Sequence, residues 1–397
     1  MKLSRRYFYI YFLMWGFYYL QGTLYESGGL ISKGLLALIL IISCGIMIVA
    51  TKHMPKVSSA RFYFVSLNFL TILLTTYGFF GLFDGEVYGF SAFRLLRPYY
   101  CSMLPIYCFY LFSKYSEIRQ IDFKIFFFLM LCVTVAFYQK NYEELMSAEN
   151  VEGITNNVGY MFVPFIGLLP LIKTNRLFKY LIIVILAYFV LMSAKRGAMM
   201  CFMLCLLLFL FFEEKNASFK TKIVILLTSS VMLVAGYYYA METIQSDPYL
   251  SNRLLQTLNG ESSSRDVIYS KILDRLNADS NPIYFLFGYG IHGSLIISTR
   301  LAHNDWLEFA IDMGLLGLMV YLFYWFSLYR VLKGQKNKEC FESLFIIVLF
   351  LFVRTFFSQS LSDMYVVSTF IIGYCLSHTH IKNKNSSSCY SDKRKKI

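Results

Sequence analysis

Residues 30–50 read LISKGLLALILIISCGIMIVA, an apolar run with one charged side chain, Lys33. A helix needs about 20 predominantly apolar residues to cross the hydrocarbon core of a membrane. Similar runs recur along the chain. We predict twelve spans, at residues 7–25, 30–50, 62–83, 98–113, 123–138, 157–172, 179–194, 197–212, 223–241, 304–329, 342–358 and 364–380. The sequence therefore predicts an all-α fold, a polytopic helical bundle in a membrane.

The composition of the 397 residues supports this fold class. Hydrophobic residues make up 57% of the chain, charged residues make up 15%, and the mean hydropathy is +0.54. Soluble domains are about 45–50% apolar and about 25% charged. These values exclude a soluble, a disordered and a disulfide-stapled protein.

The basic residues indicate how the chain is oriented. With the N-terminus in the cytoplasm, seven segments face the cytoplasm: 1–6, 51–61, 114–124, 173–179, 213–222, 330–341 and 381–397. They hold 25 of the 37 Lys and Arg residues, an excess that is typical of cytoplasmic loops. We therefore predict that both termini are cytoplasmic. Topology then explains the formal net charge of +13, and we expect no nucleic-acid partner.

This topology divides the chain into four parts. Spans one to nine occupy 1–241, a large outer loop follows at 242–302, spans ten to twelve lie in 303–380, and a basic cytoplasmic tail covers 381–397. The cysteines fall in spans or cytoplasmic segments, without the spacing of a metal site. We therefore expect no metal site, and no disulfide in the outer loop.

The large outer loop has the composition of an ordered element. Ser264 is placed to cap an amphipathic helix that runs through Arg275. A short strand is plausible at 283–287, directly before the glycines of residues 288–293 (GYGIHG). We reject a dinucleotide-binding turn because the chain has no βαβ unit here. Instead, we expect the glycines to let the backbone turn close to a ligand or to the membrane surface.

The tenth span begins with a polar cluster. On a helix, Asn304, Glu308 and Asp312 recur at every fourth residue and share one face. Asn304, Asp305 and Glu308 can cap the helix, whereas Asp312 lies about 12 Å beyond Asn304 and is too deep to cap. A carboxylate at that depth has to face protein, water or a partner. Gly314 and Gly317 are small positions that allow another helix to approach.

Several cations lie on the predicted outer face, among them Arg94 and Arg97 just before span four. Lys195 and Arg196 belong to the short turn 193–198 (SAKRGA) between spans seven and eight, and Arg354 lies near the outer end of span eleven. Such side chains often only extend to the membrane surface. However, their position opposes the topological bias, and arginine suits a partner with several oxygens. They therefore indicate a site for a phosphate or a pyrophosphate.

Three segments of the sequence resemble the O-antigen polymerase and O-antigen ligase superfamily of bacterial envelope enzymes. His303-Asn304, nine further residues and Gly314-x-x-Gly317 match the family pattern His-Asn-x9-Gly-x-x-Gly. The turn 193–198 is similar to the family's Ser/Thr-x-x-Arg-Gly/Ala turn. The loop that opens with Ser264-Arg265-Asp266 looks like the family's large outer loop. The resemblance covers roughly residues 180–330, and the first six spans match in topology alone.

This resemblance implies a glycosyltransferase at the outer face of the bacterial inner membrane. The donor is a saccharide linked through pyrophosphate to undecaprenol, and no metal or other cofactor is implied. Arg196 and Arg265 would bind or neutralise the pyrophosphate. His303 would act as general base or hydrogen-bond a phosphate oxygen, and Asn304 would orient the histidine or the donor. A chain-length regulator and a flippase are partners that the family implies.

Four further residues are substrate-binding candidates because of their place in the sequence alone. They are the outer cations Lys195 and Arg354 and the carboxylates Glu308 and Asp312. The cations would contact the pyrophosphate, and the carboxylates would support the site from the first turns of span ten.

Three functions remain open at this point. A polymerase adds the glycan to another lipid-linked repeat unit, whereas a ligase adds it to lipid A–core. We favour the polymerase, since the high Tyr and Phe content and the divergent first half resemble the divergent polymerases. A flippase or transporter without catalysis is the third possibility. Carriers of this size often consist of two related halves, and spans one to six show no similarity to spans seven to twelve.

Overall fold

The structure is a computed structural model that describes residues 3–54, 58–80, 92–147, 157–193, 195–214, 234, 238, 265–278, 281–298 and 300–379. Within these residues the regular secondary structure is helical, without a strand. The all-α prediction is therefore confirmed for this part of the chain. Most of the predicted ninth span, the outer loop up to Ser264 and the tail at 381–397 lie outside the described residues.

The helices before the outer loop follow the predicted spans one to eight. They are α1 (Arg5–Tyr19), α2 (Leu30–Lys52), α3 (Ser59–Phe80), α4 (Ala92–Tyr115), α5 (Gln120–Ser147), α6 (Gly159–Phe162), α7 (Pro164–Leu168), α8 (Arg176–Met192) and α9 (Arg196–Glu213). A 3-10 turn, Leu169–Leu171, extends α7. The sixth predicted span is one apolar helical segment, Gly159–Leu171, and the backbone angles stay helical at Val163 and Leu169. Pro164 and Pro170 interrupt its hydrogen bonds, because proline has no backbone N–H to donate.

The second half contains three helices from the predicted outer loop and three helices after it. They are α10 (Arg265–Ala278), α11 (Pro282–Phe287), α12 (Gly293–Ser298), α13 (Asp305–Lys333), α14 (Lys338–Arg354) and α15 (Val366–Ser377). The strand expected at 283–287 is wrong, because this stretch is helix α11. Asn281 caps α11 through the N–H of Ile283, and Pro282 occupies its first turn, a position that favours helix.

Among the described residues, five helices are long and apolar enough to cross a membrane: Leu30–Lys52, Ser59–Phe79, Gln120–Glu143, Arg196–Glu213 and Asp305–Lys333. Apolar side chains such as Ile41 and Ile72 point away from the protein core, with exposed fractions of 70% and 63%. Such faces suit contact with lipid. The chain is thus a multi-pass membrane protein. The total of twelve spans, the inner membrane and the cytoplasmic termini stay predictions.

Close helix packing holds the elements that carry the polar cluster. Helix α15 crosses α4 at Gly373, where a Cβ would lie 2.8 Å from the backbone of Ile106 and Tyr110. Helix α13 is tied to α3 by a hydrogen bond between the hydroxyls of Ser66 and Ser327, which are 2.7 Å apart. Small residues allow such approaches between helices in membranes. These contacts fix α15 against α4 and α13 against α3.

Candidate active site

Helix α13 is interrupted nine residues after its start. Gly314 has φ 62° and ψ −154°, backbone angles that lie outside the helical region. The break exposes the carbonyls of Ile311 and Asp312, which accept hydrogen bonds of 2.8 Å from the N–H groups of Tyr289 and Gly290. Paired in this way, the backbone groups are satisfied although the helix is broken. The family's first glycine therefore marks a kink.

The glycines of residues 288–293 serve this kink. A Cβ on Gly288 would lie 2.5 Å from the backbone of Asp312, and a Cβ on Gly314 would lie 2.6 Å from the carbonyl carbon of Leu286. Both glycines have positive φ. The described backbone turns against α13, and Gly314 lies against the end of helix α11 at Leu286 and against Gly288. The expectation that this turn also approaches a ligand or the membrane surface stays a prediction.

Two side chains shape the start of α13. The Asn304 carboxamide oxygen caps the helix by accepting from the N–H groups of Trp306 (3.0 Å) and Leu307 (3.2 Å). The buried Asp305 carboxylate faces the segment after α14 instead. It accepts 3.1 Å hydrogen bonds from the N–H of Ser360 and one of 2.7 Å from the hydroxyl of Tyr321. Asparagine is thus the cap, and Asp305 connects α13 to residues 355–363.

Glu308 and Asp312 connect α13 to the outer loop. The Glu308 carboxylate accepts from the N–H of Ala302 (2.6 Å) and from the hydroxyl of Ser294 (2.7 Å). The Asp312 carboxylate accepts from the N–H of His292 (3.0 Å). Both carboxylates are buried. The deep carboxylate thus faces protein, and the structure places both candidates beneath the loop.

His303 lies between Ala302 and the capping residue in a strained conformation. Its φ is 51°, in the left-handed region that residues other than glycine rarely adopt. Burial, together with the smaller effect of the charges of Lys195 and Arg265, lowers the pKa of the half-buried imidazole to about 4. The imidazole is therefore neutral at neutral pH. A neutral imidazole is able to accept a proton from a substrate hydroxyl.

The cations that act on His303 come from two other helices. Lys195 directly precedes α9, and Arg265 is the first residue of α10. The Arg265 guanidinium also donates a 3.1 Å hydrogen bond from Nη2 to the carbonyl of Phe357. Four parts of the chain therefore meet at one place: the turn before α9, the start of α10, His303 and the segment after α14.

Arg354 is linked to the same meeting point by its hydrogen bonds to Asp363. The buried guanidinium donates to the Asp363 carbonyl (2.9 Å) and to its carboxylate oxygen Oδ2 (3.3 Å). The same oxygen accepts from the carboxamide nitrogen of Asn157 (3.0 Å), and Lys195 acts on Asp363 electrostatically. The Arg354 guanidinium also lies 4.6 Å from the centre of the Tyr160 ring. Arg354 is therefore a neighbour of the turn before α9.

The structure thus brings together most of the residues singled out from the sequence. Four of them lie at this meeting point: His303, Lys195, Arg265 and Arg354. Arg196 follows Lys195 as the half-buried first residue of α9, and Asn304 caps the helix beside His303. We define the cationic cluster as the four basic residues among them, Lys195, Arg196, Arg265 and Arg354. Its chemistry suits an anion with several oxygens.

Sequence reasoning missed Asn157 and Tyr160. Each reaches the cluster by a tertiary contact, and a single sequence does not reveal such contacts.

No metal site is evident at this place. Within the described part of the chain, no group of three or more His, Cys, Asp or Glu residues is arranged to hold a metal ion. The groups that converge are guanidinium, ammonium and imidazole, with Asp363 already bound to Arg354 and Asn157. An anionic ligand is the natural complement of this set.

The comparison with known families gives one match. Residues 181–322, about a third of the chain, match a family model described as O-antigen ligase. The matched range includes the turn before α9, helices α10 to α12 and the pattern from His303 to Gly317, whereas Arg354 and Asp363 lie beyond it. The resemblance to the superfamily is thereby confirmed. No curated protein matches the chain.

Proposed function

On the premise that residues 181–322 belong to the O-antigen ligase and polymerase superfamily, we propose that the protein is a polysaccharide polymerase. It transfers an undecaprenyl-pyrophosphate-linked glycan onto a lipid-linked repeat unit at the outer face of the bacterial inner membrane. The observation that carries this proposal is the neutral imidazole of His303 beside Lys195 and Arg265. A base next to a set of cations suits a reaction in which a hydroxyl attacks and a pyrophosphate leaves.

The reaction moves one proton and one electron pair. A hydroxyl of the acceptor sugar attacks the anomeric carbon of the donor, and the new glycosidic C–O bond forms. The bond between that carbon and the pyrophosphate oxygen breaks, and its electron pair remains on the pyrophosphate. The hydroxyl proton passes to His303. The cationic cluster stabilises the charge that develops on the pyrophosphate, an effect that is worth most where water is excluded.

Binding of the donor also strengthens the base. Without an anion, the charges of Lys195 and Arg265 help to keep the pKa of His303 low. A bound pyrophosphate offsets those charges, so the pKa of His303 rises towards its ordinary range. A general base works best when its pKa lies near the working pH. The base therefore becomes effective when the leaving group is in place.

The remaining candidates support this arrangement in different ways. Arg196 and Arg265 bind the pyrophosphate, and Lys195 and Arg354 add charge around it. Asn304 orients His303 through the helix cap. Glu308 acts on the site through the Ala302 backbone next to His303, and Asp312 holds the loop at His292.

A ligase is the second candidate, since the matching family model is described as O-antigen ligase. The two functions share the donor and differ in the acceptor. A deletion strain separates them. Lipid A–core that carries a single repeat unit indicates a missing polymerase, whereas bare core with accumulating lipid-linked polymer indicates a missing ligase.

Purified protein with lipid-linked repeat units tests the catalytic proposal. We expect His303→Ala and Arg265→Ala to abolish polymer formation, while both variants insert into the membrane normally. Lys271→Ala is a matched control for Arg265→Ala, because Lys271 is exposed on the same helix α10. His53→Ala is the corresponding control for His303→Ala. Wild-type extension by either site variant would contradict the assignment and favour a flippase without catalysis.

A further inference from the structure

Two buried hydrogen-bond donors without acceptors lie next to each other at the cationic cluster. The Tyr160 side chain is 1% exposed and that of Arg354 is 2% exposed. Among the described residues, neither the Tyr160 hydroxyl nor Nε of Arg354 has a hydrogen-bond partner. A buried donor without an acceptor lowers stability, so its retention calls for an explanation.

The Tyr160 hydroxyl lies against the first turn of α9. A Cβ at Gly197 would collide with this hydroxyl, and it would lie 3.2 Å from Cβ of Phe357. Only glycine therefore lets the hydroxyl occupy this position. Helix α9 has 18 residues, and no side chain caps its start at Lys195. The start of a helix attracts anions through its backbone N–H groups and its dipole.

The surroundings of the hydroxyl indicate which kind of ligand it takes. The charged groups that act on Tyr160 are Arg354 and Arg265, and Lys195 and Arg196 precede Gly197 in the chain. All four are hydrogen-bond donors without acceptor capacity. The nearby carboxylate of Asp363 is bound to Arg354 and Asn157. An acceptor that a ligand brings would satisfy the hydroxyl beside these cations, and a phosphate oxygen has this chemistry.

We propose that Tyr160 donates a hydrogen bond to the pyrophosphate of the donor lipid, at an anion subsite formed with the start of α9 and Arg354. This inference rests on the proposed function, since it takes the donor to be a polyprenyl diphosphate ester. Tyr160 is a substrate-binding residue in this arrangement. Its hydroxyl is unsatisfied in the free protein and satisfied in the complex.

This arrangement separates binding from stability. Tyr160→Phe keeps the ring that packs on Arg354 and removes the unsatisfied hydroxyl. The free variant should therefore be at least as stable as the wild type. It should bind the diphosphate lipid about 10- to 100-fold more weakly, the effect of losing one hydrogen bond to a charged group. If the hydroxyl had a structural role alone, its removal would lower the stability and leave binding by the folded protein unchanged.

The experiment uses the full chain in nanodiscs, with undecaprenyl pyrophosphate as the probe and undecaprenol as the neutral comparison. The dissociation constant and the melting temperature are measured for the wild type, Tyr160→Phe and Tyr63→Phe. Tyr63 is a matched control, because its buried hydroxyl lies on α3, near Tyr324 in the second half of α13. We expect weaker binding of the diphosphate lipid by Tyr160→Phe alone, with an unchanged or higher melting temperature.

Gly197→Ala provides an independent check. Its methyl group displaces the Tyr160 hydroxyl, so it should weaken binding in the wild-type background. In the Tyr160→Phe background the same change should cost much less, because the colliding atom is absent. Such non-additivity is the signature of two residues that act together.

The outcomes are distinguishable. If the wild type binds the diphosphate lipid and Tyr160→Phe binds it equally well, the assignment of Tyr160 is wrong and the proposed function stands. If Tyr160→Phe loses melting temperature in proportion to binding, its role is structural and the inference is again wrong. If the wild type prefers undecaprenyl pyrophosphate no more than undecaprenol, the proposed donor fails, and the inference fails with it.

Discussion

The carboxylate of Glu308 accepts a 2.6 Å hydrogen bond from the N–H of Ala302, the residue directly before His303. It also accepts one of 2.7 Å from Ser294. The φ of 51° at His303 costs on the order of 1–3 kcal/mol, so the surrounding contacts have to maintain it. We conclude that Glu308 holds the backbone that presents the imidazole to the cationic cluster.

Removal of this carboxylate should weaken both the fold and the activity. Glu308→Ala leaves the Ala302 N–H and the Ser294 hydroxyl without an acceptor, so we expect the free energy of unfolding to fall by about 2 kcal/mol. Turnover should fall at least about tenfold, because the base is no longer positioned. Glu308→Gln keeps one acceptor oxygen, so it should retain part of the stability and part of the turnover.

Thermal unfolding and polymer formation by the purified protein measure these effects. Glu26→Ala is the control, since Glu26 is exposed at the predicted outer end of α2. A folded Glu308→Ala variant with full turnover and unchanged stability would show that the carboxylate does not position His303.

The start of α13 could be predicted from the sequence, whereas its kink could not. Asn304 before an apolar run is a local capping signal, and the helix begins directly after it. Gly314 gives no such signal, since a glycine in a helical pattern also suits close helix packing. Its positive φ depends on the loop backbone at Leu286 and Gly288, which lies nearly thirty residues earlier.

The cationic cluster could be predicted only in part, because its members stand out locally whereas their proximity depends on tertiary packing. Lys195 and Arg354 stand out because cations on an outer face oppose the charge bias. Their proximity, through Asp363, depends on how α9 and α14 pack. The helix at 282–287 was missed because a short apolar run between turn residues fits both strand and helix.

The kink itself allows a sharp test. Gly314→Ala adds a Cβ that would lie within 2.7 Å of the backbone of Leu286 and Gly288, at a residue with positive φ. We expect a loss of at least about 2 kcal/mol in the free energy of unfolding, since both strain and overlap oppose the change. The yield of folded protein and its melting temperature measure it.

Gly45→Ala is the matched control for this change. A Cβ on Gly45 of α2 meets no atom within 4 Å. Alanine favours a helix over glycine by about 1 kcal/mol, so this variant should be slightly more stable than the wild type. Equal melting temperatures for the two variants would mean that the kink does not require glycine.

Arg354 is predicted to require its planar guanidinium group. The side chain binds both the carbonyl and the carboxylate of Asp363 and lies over the Tyr160 ring. Lysine keeps the charge but cannot make this pair of bonds while stacking on a ring. We expect Arg354→Lys to lower the free energy of unfolding by about 1–2 kcal/mol and to reduce turnover.

The comparison for this variant is Arg330→Lys. The exposed Arg330 guanidinium also stacks on an aromatic ring, 4.3 Å from the centre of Phe62, but away from the cluster. Unfolding and turnover assays of both variants separate a general cost of losing arginine from a specific one. Equal effects in the two variants would contradict a special role for Arg354.

The pKa of His303, about 4, predicts how stability and turnover depend on pH. Burial and the two cations lower it from the ordinary 6.5, so the unfolded chain binds more protons than the folded protein between these values. The free energy of unfolding therefore falls as the pH decreases through this window. His292 contributes in the same direction, because burial lowers its pKa to about 4 as well. Thermal unfolding at several pH values measures this slope, and His303→Ala should reduce it.

The kinetic consequence is a difference between two pH profiles. The value of kcat/KM reports the free enzyme, so its acidic limb should lie near pH 4, whereas the limb of kcat should lie higher because the bound pyrophosphate offsets the cations. Lys195→Ala removes a charge that opposes the imidazolium and should move the kcat/KM limb to higher pH. Lys271→Ala, on the exposed side of α10, should leave both limbs in place. A kcat/KM limb near 6.5 that does not respond to Lys195→Ala would show that the cationic cluster does not act on the base.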